Sequence, residues 1–249
     1  MITSKNNDIV KDLVSLKEKK FRDEKGEYLV EGFKMVKEAF ACNKRIVMLV
    51  GTENALEELG KTVDTGNVKT IAVSDGVLSH VSDCKTPQGV ACVLEEERFN
   101  AEKPKGASIL LDGVSDPGNM GTIIRTAAAL NYKDLYLIGC VDPYSPKCVR
   151  ASMSGIYFVN IYETDLETAL AAVKSANLKV VALDMAGKDL KGCNPQKNGV
   201  CIIVGSEANG LSPAARKGAD EILSIKMEAQ SESLNAAVAL SIAMYSLKK

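Results

Sequence analysis

The stretch SILLDGVSDPGNMGTIIRTAAAL (residues 108–130) decides the fold. Ser108 to Asp112 is an apolar run of the kind buried on both faces of a sheet, and it passes through a glycine-containing turn into a helix. The same alternation continues outward through DLYLIG (134–139), FVNIY (158–162), KVVALD (179–184), VCIIVG (200–205) and EILSI (221–225), each separated by a helical segment. Continuous apolar strands alternating with helices predict an α/β domain with a mainly parallel sheet. The last segment, SLNAAVALSIAMYSL (233–247), is apolar nearly all round. It must therefore be covered on several sides, by its own domain or by another subunit.

Toward the N-terminus the pattern changes scale. A helix with Ile9, Leu13 and Leu16 on one face leads into YLV (28–30), FKMVKEAF (33–40), RIVMLV (45–50), a short helix near 54–59, KTIAV (69–73) and GVACVL (89–94), the outline of a small α/β unit. The polar EEERFNAEKPKGA (95–107), with Pro104 and Gly106, reads as a linker. The expected organisation is a small domain over 1–97, a linker over 98–106 and a larger domain over 107–249.

Of the 249 residues 46% are hydrophobic and 25% charged, which predicts a globular chain. Lys and Arg number 31 against 32 Asp and Glu, so no bulk charge draws the protein to nucleic acid or membrane, and any basic surface must be local. No apolar run approaches the roughly 18 residues of a spanning helix, and the first residues lack a signal-peptide core, so a cytoplasmic protein is expected. Seven cysteines with no CxxC pair, and a single histidine, argue against structural zinc and against a disulfide scaffold. The thiols read as small core hydrophobes, and His80 as a structural residue before SDCKTPQG. No metal is expected.

Three strand ends carry polar residues in turns or loops: 112–130 and CIIVGSEANGLS (201–212), both with glycines, and EILSIKMEAQSESLNAAVAL (221–240), where a polar loop leads into the last helix. Strand ends are where ligands bind in an α/β sheet. The Gly113 to Gly118 spacing has the length of a Walker loop, but Asn119 and Met120 stand where its Lys and Ser/Thr are needed, and no GxGxxG fingerprint is present. Arg125 lies four residues after Gly121, near the same helical face. Ser233 reads as the N-cap of the last helix.

Together and in this order the three stretches resemble the SpoU/TrmH family of SPOUT methyltransferases. Asn119, Gly121, Arg125, Thr126 and Ala127 match the family's first motif; Gly205, Glu207, Gly210 and Leu211 the second; Ile225, Met227, Ser233, Leu234 and Asn235 the third. FRDEKGEYLVEGFKMVKEAF and SDCKTPQGV are similar to the substrate-binding domain often joined to the family. The resemblance implies a C-terminal SPOUT domain with a deep trefoil knot, and transfer of a methyl group from S-adenosylmethionine to a ribose 2′-hydroxyl of RNA, ribosomal or transfer. It implies a cofactor site at Gly205, Ile225, Met227 and Leu234, and catalytic roles for Arg125, Asn119, Glu207, Ser233 and Asn235. Two positions depart from the family: Lys226 and Ala229 stand where a proline and a glycine are common, placing a charge beside the expected donor site.

Since a guanidinium holds its proton at neutral pH, Arg125 is expected to stabilise a developing alkoxide rather than to act as a free base. Lys17, Lys20 and Arg22 are candidate phosphate contacts. The resemblance also implies a homodimer with the active site beside its interface; the last helix would supply that interface, with Ala243 and Leu247 facing outward. Two further classes stay open: an RNA-binding or ribosome-assembly factor that keeps the fold without turnover, motivated by Lys226 and Ala229, and a small-molecule α/β enzyme.

Overall fold

The computed structural model describes residues 1–193, 199–228 and 233–248. Contacts divide the chain into two compact units, Met1–Glu97 with Asp142–Tyr157, and Arg98–Val141 with Phe158–Lys249.

In the first unit the opening helical stretch is two helices, α1 (Asp8–Ser15) and α2 (Lys19–Lys25), because Glu18 is extended between them. Then follow β1 (Glu27–Glu31), α3 (Phe33–Ala41), β2 (Ile46–Gly51), α4 (Glu53–Gly60), β3 (Thr70–Ala72), α5 (Asp75–Val81) and β4 (Val90–Glu95). The described strands form a sheet of order β1-β4-β2-β3, in which β4 runs antiparallel to both neighbours. Val10, Leu13 and Leu16 close one core against Val50, Val77, Val81 and Val93. His80 lies in the last turn of α5.

The second unit opens with β5 (Ser108–Asp112), α6 (Pro117–Leu130) and β6 (Asp134–Ile138). The segment Asp142–Tyr157, with α7 (Pro146–Ser152), then belongs to the first unit. Arg150 pairs with Asp83 at 2.6 Å, the Tyr157 hydroxyl donates to the Met35 carbonyl at 3.2 Å, and Tyr144 packs on Tyr28 with ring centroids 4.9 Å apart. Local patterning gave no sign of this excursion, since every tie that holds it joins residues far apart in sequence.

The second unit resumes with β7 (Asn160–Glu163), α8 (Leu166–Ser175), β8 (Lys179–Asp189), β9 (Val200–Gly205), α9 (Pro213–Gly218), β10 (Glu221–Ser224) and α10 (Ala236–Leu247). Its described residues form a six-stranded, wholly parallel sheet of order β10-β8-β9-β5-β6-β7. The parallel sheet is as expected. Leu110, Cys201 and Ile203 turn one face of it to α8 and α9, with Ala169, Val173 and Ala215 filling the layer. Burial pushes the Cys201 thiol up to about 12, in keeping with an inert core residue.

Residues of the expected linker lie against this sheet. Phe99 meets the Tyr162 ring edge-on, the Tyr136 hydroxyl donates to the Glu102 carbonyl at 2.5 Å, and the Lys105 amide donates to the buried Asp134 carboxylate at 3.2 Å. Helix α10 begins at Ala236, and Asn235 caps it in place of the expected Ser233, accepting from the Ala237 and Val238 amides. Ala243 and Leu247 are buried, which corrects their outward assignment. The exposed apolar positions are Val238, Ile242 and Tyr245, the last 76% exposed.

Candidate functional site

Strands β5 and β9 lie side by side at the centre of the sheet, yet the chain proceeds from β5 toward β6 and β7 on one side and from β9 toward α9 and β10 on the other. Such a reversal leaves a crevice at the carboxyl ends of the strands. Asp112, at the end of β5, accepts from the Ser212 amide at 2.7 Å and so ties that end to the turn after β9. In this turn Ser206 and Gly210 exchange backbone hydrogen bonds, with Gly210 at φ +65°. A Cβ on Gly205 would stand 2.1 Å from the Gly210 backbone. No side chain fits there, so any substitution at Gly205 disrupts the turn.

Beside this turn opens a cleft of about 580 Å³. All four residues expected to hold a cofactor, Gly205, Ile225, Met227 and Leu234, line it, together with Glu207, Ser233 and Asn235. Sequence reasoning missed the wall contributed by Leu183, Asp184 and Met185 in β8. The only hint was that KVVALD, like the three motif-bearing strands, ends in the same parallel sheet. Lys226 does not line the cleft; its ammonium lies 3.4 Å from Asp189 Oδ2. The charge expected beside the donor is therefore turned away, and the motive for a non-catalytic reading at that position goes with it. Ala229 lies outside the described residues.

The three motifs meet through side-chain hydrogen bonds. Asn235 Nδ2 donates to Asn119 Oδ1 at 2.8 Å, and Asn119 Nδ2 donates to Glu207 Oε1 at 2.7 Å. Glu207 Oε2 accepts from the amide and the hydroxyl of Ser115, both at 3.3 Å. Asp116 caps α6 by accepting from the Asn119 amide at 2.8 Å, which holds the middle member of the chain at a helix start. Partial burial works to raise the Glu207 pKa, but hydrogen bonds from Asn119, from its own amide and from Ser115 outweigh it, and the carboxyl sits below its ordinary value. An ionised, acceptor-only Glu207 fixes which way the Asn119 amide points, and Asn119 in turn orients Asn235.

Arg125 lies on the exposed face of α6, six residues and so about 9 Å along the helix from Asn119. Gly121, one turn earlier on neighbouring helix surface, is buried, so Arg125 stands at the edge where that surface opens to solvent. Among the described residues Arg125 has no ion-pair partner. Ser233 is exposed at the cleft.

The candidate phosphate contacts fare differently. Arg22 is only 3% exposed: it donates to the Leu16 carbonyl at 2.6 Å and pairs with Asp142, which removes it as a phosphate contact. Lys17 donates to the carbonyls of His80 and Ser82 at the end of α5. Lys20 alone of the three is well exposed, 4.0 Å from Glu24.

Among the described residues no group of three or more His, Cys, Asp or Glu is placed to hold a metal ion, and no helix is long and apolar enough to cross a membrane.

Comparison with known proteins gives a consistent picture. The chain is 29% identical to the Bacillus subtilis 23S rRNA (guanosine(2553)-2′-O)-methyltransferase RlmP, over 99% of this chain and 98% of that one. It is 31% identical to an uncharacterised tRNA/rRNA methyltransferase of Synechocystis, over 100% of this chain and 93% of the other. Its fold superposes on the AdoMet-bound rRNA methyltransferase of Sinorhizobium meliloti with a TM-score of 0.90 at 30% identity, covering 99% of this chain and 96% of that one. Residues 7–92 match the MRM3-like substrate binding domain. Residues 106–245, which hold all three strand-end motifs, match the SpoU rRNA methylase model, and the chain belongs to that family.

Proposed function

We propose that this protein transfers the methyl group of S-adenosylmethionine to a ribose 2′-hydroxyl of ribosomal RNA. The observation that carries the reading is the convergence of Glu207, Asn119 and Asn235 into one hydrogen-bonded chain at the rim of a cleft whose size suits a nucleoside-sized ligand. The cleft fits the donor: Leu183, Ile225, Met227 and Leu234 offer apolar surface, while the side-chain-free turn at Gly205 leaves backbone groups open to a ligand. When bound, the donor supplies a methyl carbon made electrophilic by its sulfonium.

The chain's own residues do the rest. Ionised Glu207 locks Asn119, and Asn119 with Asn235 presents amide groups that orient the ribose. Arg125, a permanent cation without a protein counterion among the described residues, stabilises the charge that grows on the 2′-oxygen as its proton leaves. Positioning of that oxygen in line with the methyl carbon and sulfur supplies much of the rate. The first unit, residues 1–97 with the 142–157 excursion, recognises the RNA, and the second unit binds the donor. The protein works in the cytoplasm as a homodimer, through the exposed Val238, Ile242 and Tyr245 stripe at helical spacing on α10. A deep trefoil knot is part of this reading; β8 and β10 pack in parallel with close backbone approach, a Cβ on Gly187 standing 2.5 Å from the Leu223 backbone.

The test is incubation with tritium-labelled donor and ribosomal RNA, then digestion to nucleosides. Label in a 2′-O-methylnucleoside is expected. Label on a base, or none despite calorimetric binding of the donor, would overturn the proposal.

A further inference from the structure

One wall of the cleft is formed by Leu183–Met185 at β8 and by Leu223, Ser224, Ile225 and Met227 at and beyond β10, and the sheet pairing that holds it ends at Ser224. Strand β10 is four residues long, and its register on β8 shifts between Ile222 and Leu223. Beyond Ser224 the chain leaves the sheet, and Ile225 and Met227 line the cleft while Lys226 between them points away. Its partner Asp189 is the last residue of β8 and the register partner of Ser224. Asp189 is itself fixed, because its Oδ1 accepts from the Lys191 amide at 3.0 Å. Nearby, the Ser224 hydroxyl donates to the Gly187 carbonyl at 2.9 Å. The ion pair is a tie beyond Ser224, and it grips the residue that lies between the two cleft-lining side chains of Ile225 and Met227.

We propose that the Lys226–Asp189 pair is a latch that positions Ile225 and Met227 against S-adenosylmethionine, so that donor affinity depends on an ion pair the donor never touches. The inference rests on the donor reading of the cleft. A proline in this place would fix φ through its ring; a lysine leaves φ free, and its tether to Asp189 restrains the segment only through the side chain. The Lys226 side chain is 74% exposed, so salt screens the pair, and its worth is that of a surface ion pair.

Calorimetric titration with S-adenosylmethionine and with S-adenosylhomocysteine, at about 50 mM and about 500 mM KCl, tests this. The second ligand lacks the sulfonium charge, so a salt effect that persists with it belongs to the protein. The wild-type Kd should rise about threefold with salt for both ligands, a size set by the small worth of an exposed pair. Lys226→Met should show the weakened Kd already at low salt and lose the salt dependence, whereas Lys226→Arg keeps the wild-type pattern. Asp189→Asn keeps an oxygen to accept from the Lys191 amide, and in the double-mutant cycle the combined variant should bind no more weakly than the weaker of the two single variants. Equal affinity of Lys226→Met and wild type, or additive losses in the cycle, would overturn the latch with the donor reading intact. Absence of donor binding by the wild-type chain would overturn both.

Discussion

Candidate polar residues meet different fates in the two units, although both units also hold structural ion pairs such as Arg22–Asp142 and Arg216–Asp184. In the first, Arg22, Lys17 and Arg150 each end on a carboxylate or carbonyl of the same unit, so that charge holds helices and the 142–157 excursion in place. In the second, Glu207, Asn119 and Asn235 satisfy one another in a row at an open cleft, and Arg125 is left without a counterion among the described residues. The difference follows from topology. A wholly parallel sheet sends the carboxyl ends of its strands to one side, so polar turns from distant parts of the chain collect there. The antiparallel pairs of the first unit scatter their turns over both ends. A cation there more readily finds a structural partner than a shared site.

The sharpest way to break this comparison is to remove the arginine that lacks a partner. Arg125→Ala should lower single-turnover methylation by about 10²–10³-fold or more, the scale of losing a charge-stabilising donor, with donor Kd and melting temperature unchanged. Arg125→Lys should recover little, because a point ammonium lacks the planar fork. Near-normal methylation by the alanine variant would move the chemistry to another residue.

Arg22→Met is the counterpart in the first unit. It leaves Asp142 buried without its cation, an arrangement that typically costs about 3–5 kcal/mol. Unfolding of the first unit at lower denaturant should follow, with no loss of donor affinity. Lys20→Met, at an exposed pair, should cost almost nothing. If Arg22→Met instead weakened RNA binding while leaving stability intact, Arg22 would be a phosphate contact after all and the contrast between the units would fail.

These two arginines also show what a sequence can and cannot reveal. Strand positions and the parallel sheet are legible because apolar runs mark buried strands, whereas the cleft residues Gly205, Ile225, Met227 and Leu234 are legible only through the motifs that resemble the family. Arg22 was misread because its partner Asp142 lies 120 residues away, and no local pattern says whether a cation is exposed. The same limit hid the excursion and the contribution of Met185. It also turned α10 the wrong way: with apolar residues all round, periodicity could not say that Ala243 and Leu247 face inward and Ile242 outward.

That orientation gives a smaller, sharper effect. Ile242→Asp should shift the dimer toward monomer in sedimentation at micromolar concentration, with activity falling in step, while Ala243→Asp should unfold the domain instead. A monomeric wild-type protein would reject the dimer.

The smallest effect concerns the ionisation of Glu207. Its folded pKa lies below the ordinary value of 4.5: burial opposes the charge, but the hydrogen bonds from Asn119, its own amide and Ser115 prevail. A carboxyl whose pKa is depressed on folding contributes stability that is complete above the unfolded pKa and is lost as pH falls through the folded one. The network should therefore be intact at neutral pH and begin to loosen only below about pH 4.5. Because the group is largely open to solvent, the gain is small, and the melting temperature of Glu207→Gln should lie only about 1–2 °C below wild type at pH 7. The gap should close as pH drops below about 4.5, since protonation gives the wild-type carboxyl the same lost acceptor that glutamine has. Direct titration of the Glu207 carboxyl carbon by NMR separates this account from its rival. A midpoint above 4.5 would mean that burial, not hydrogen bonding, dominates at the rim, and Asn119 would then lose the fixed acceptor that orients it.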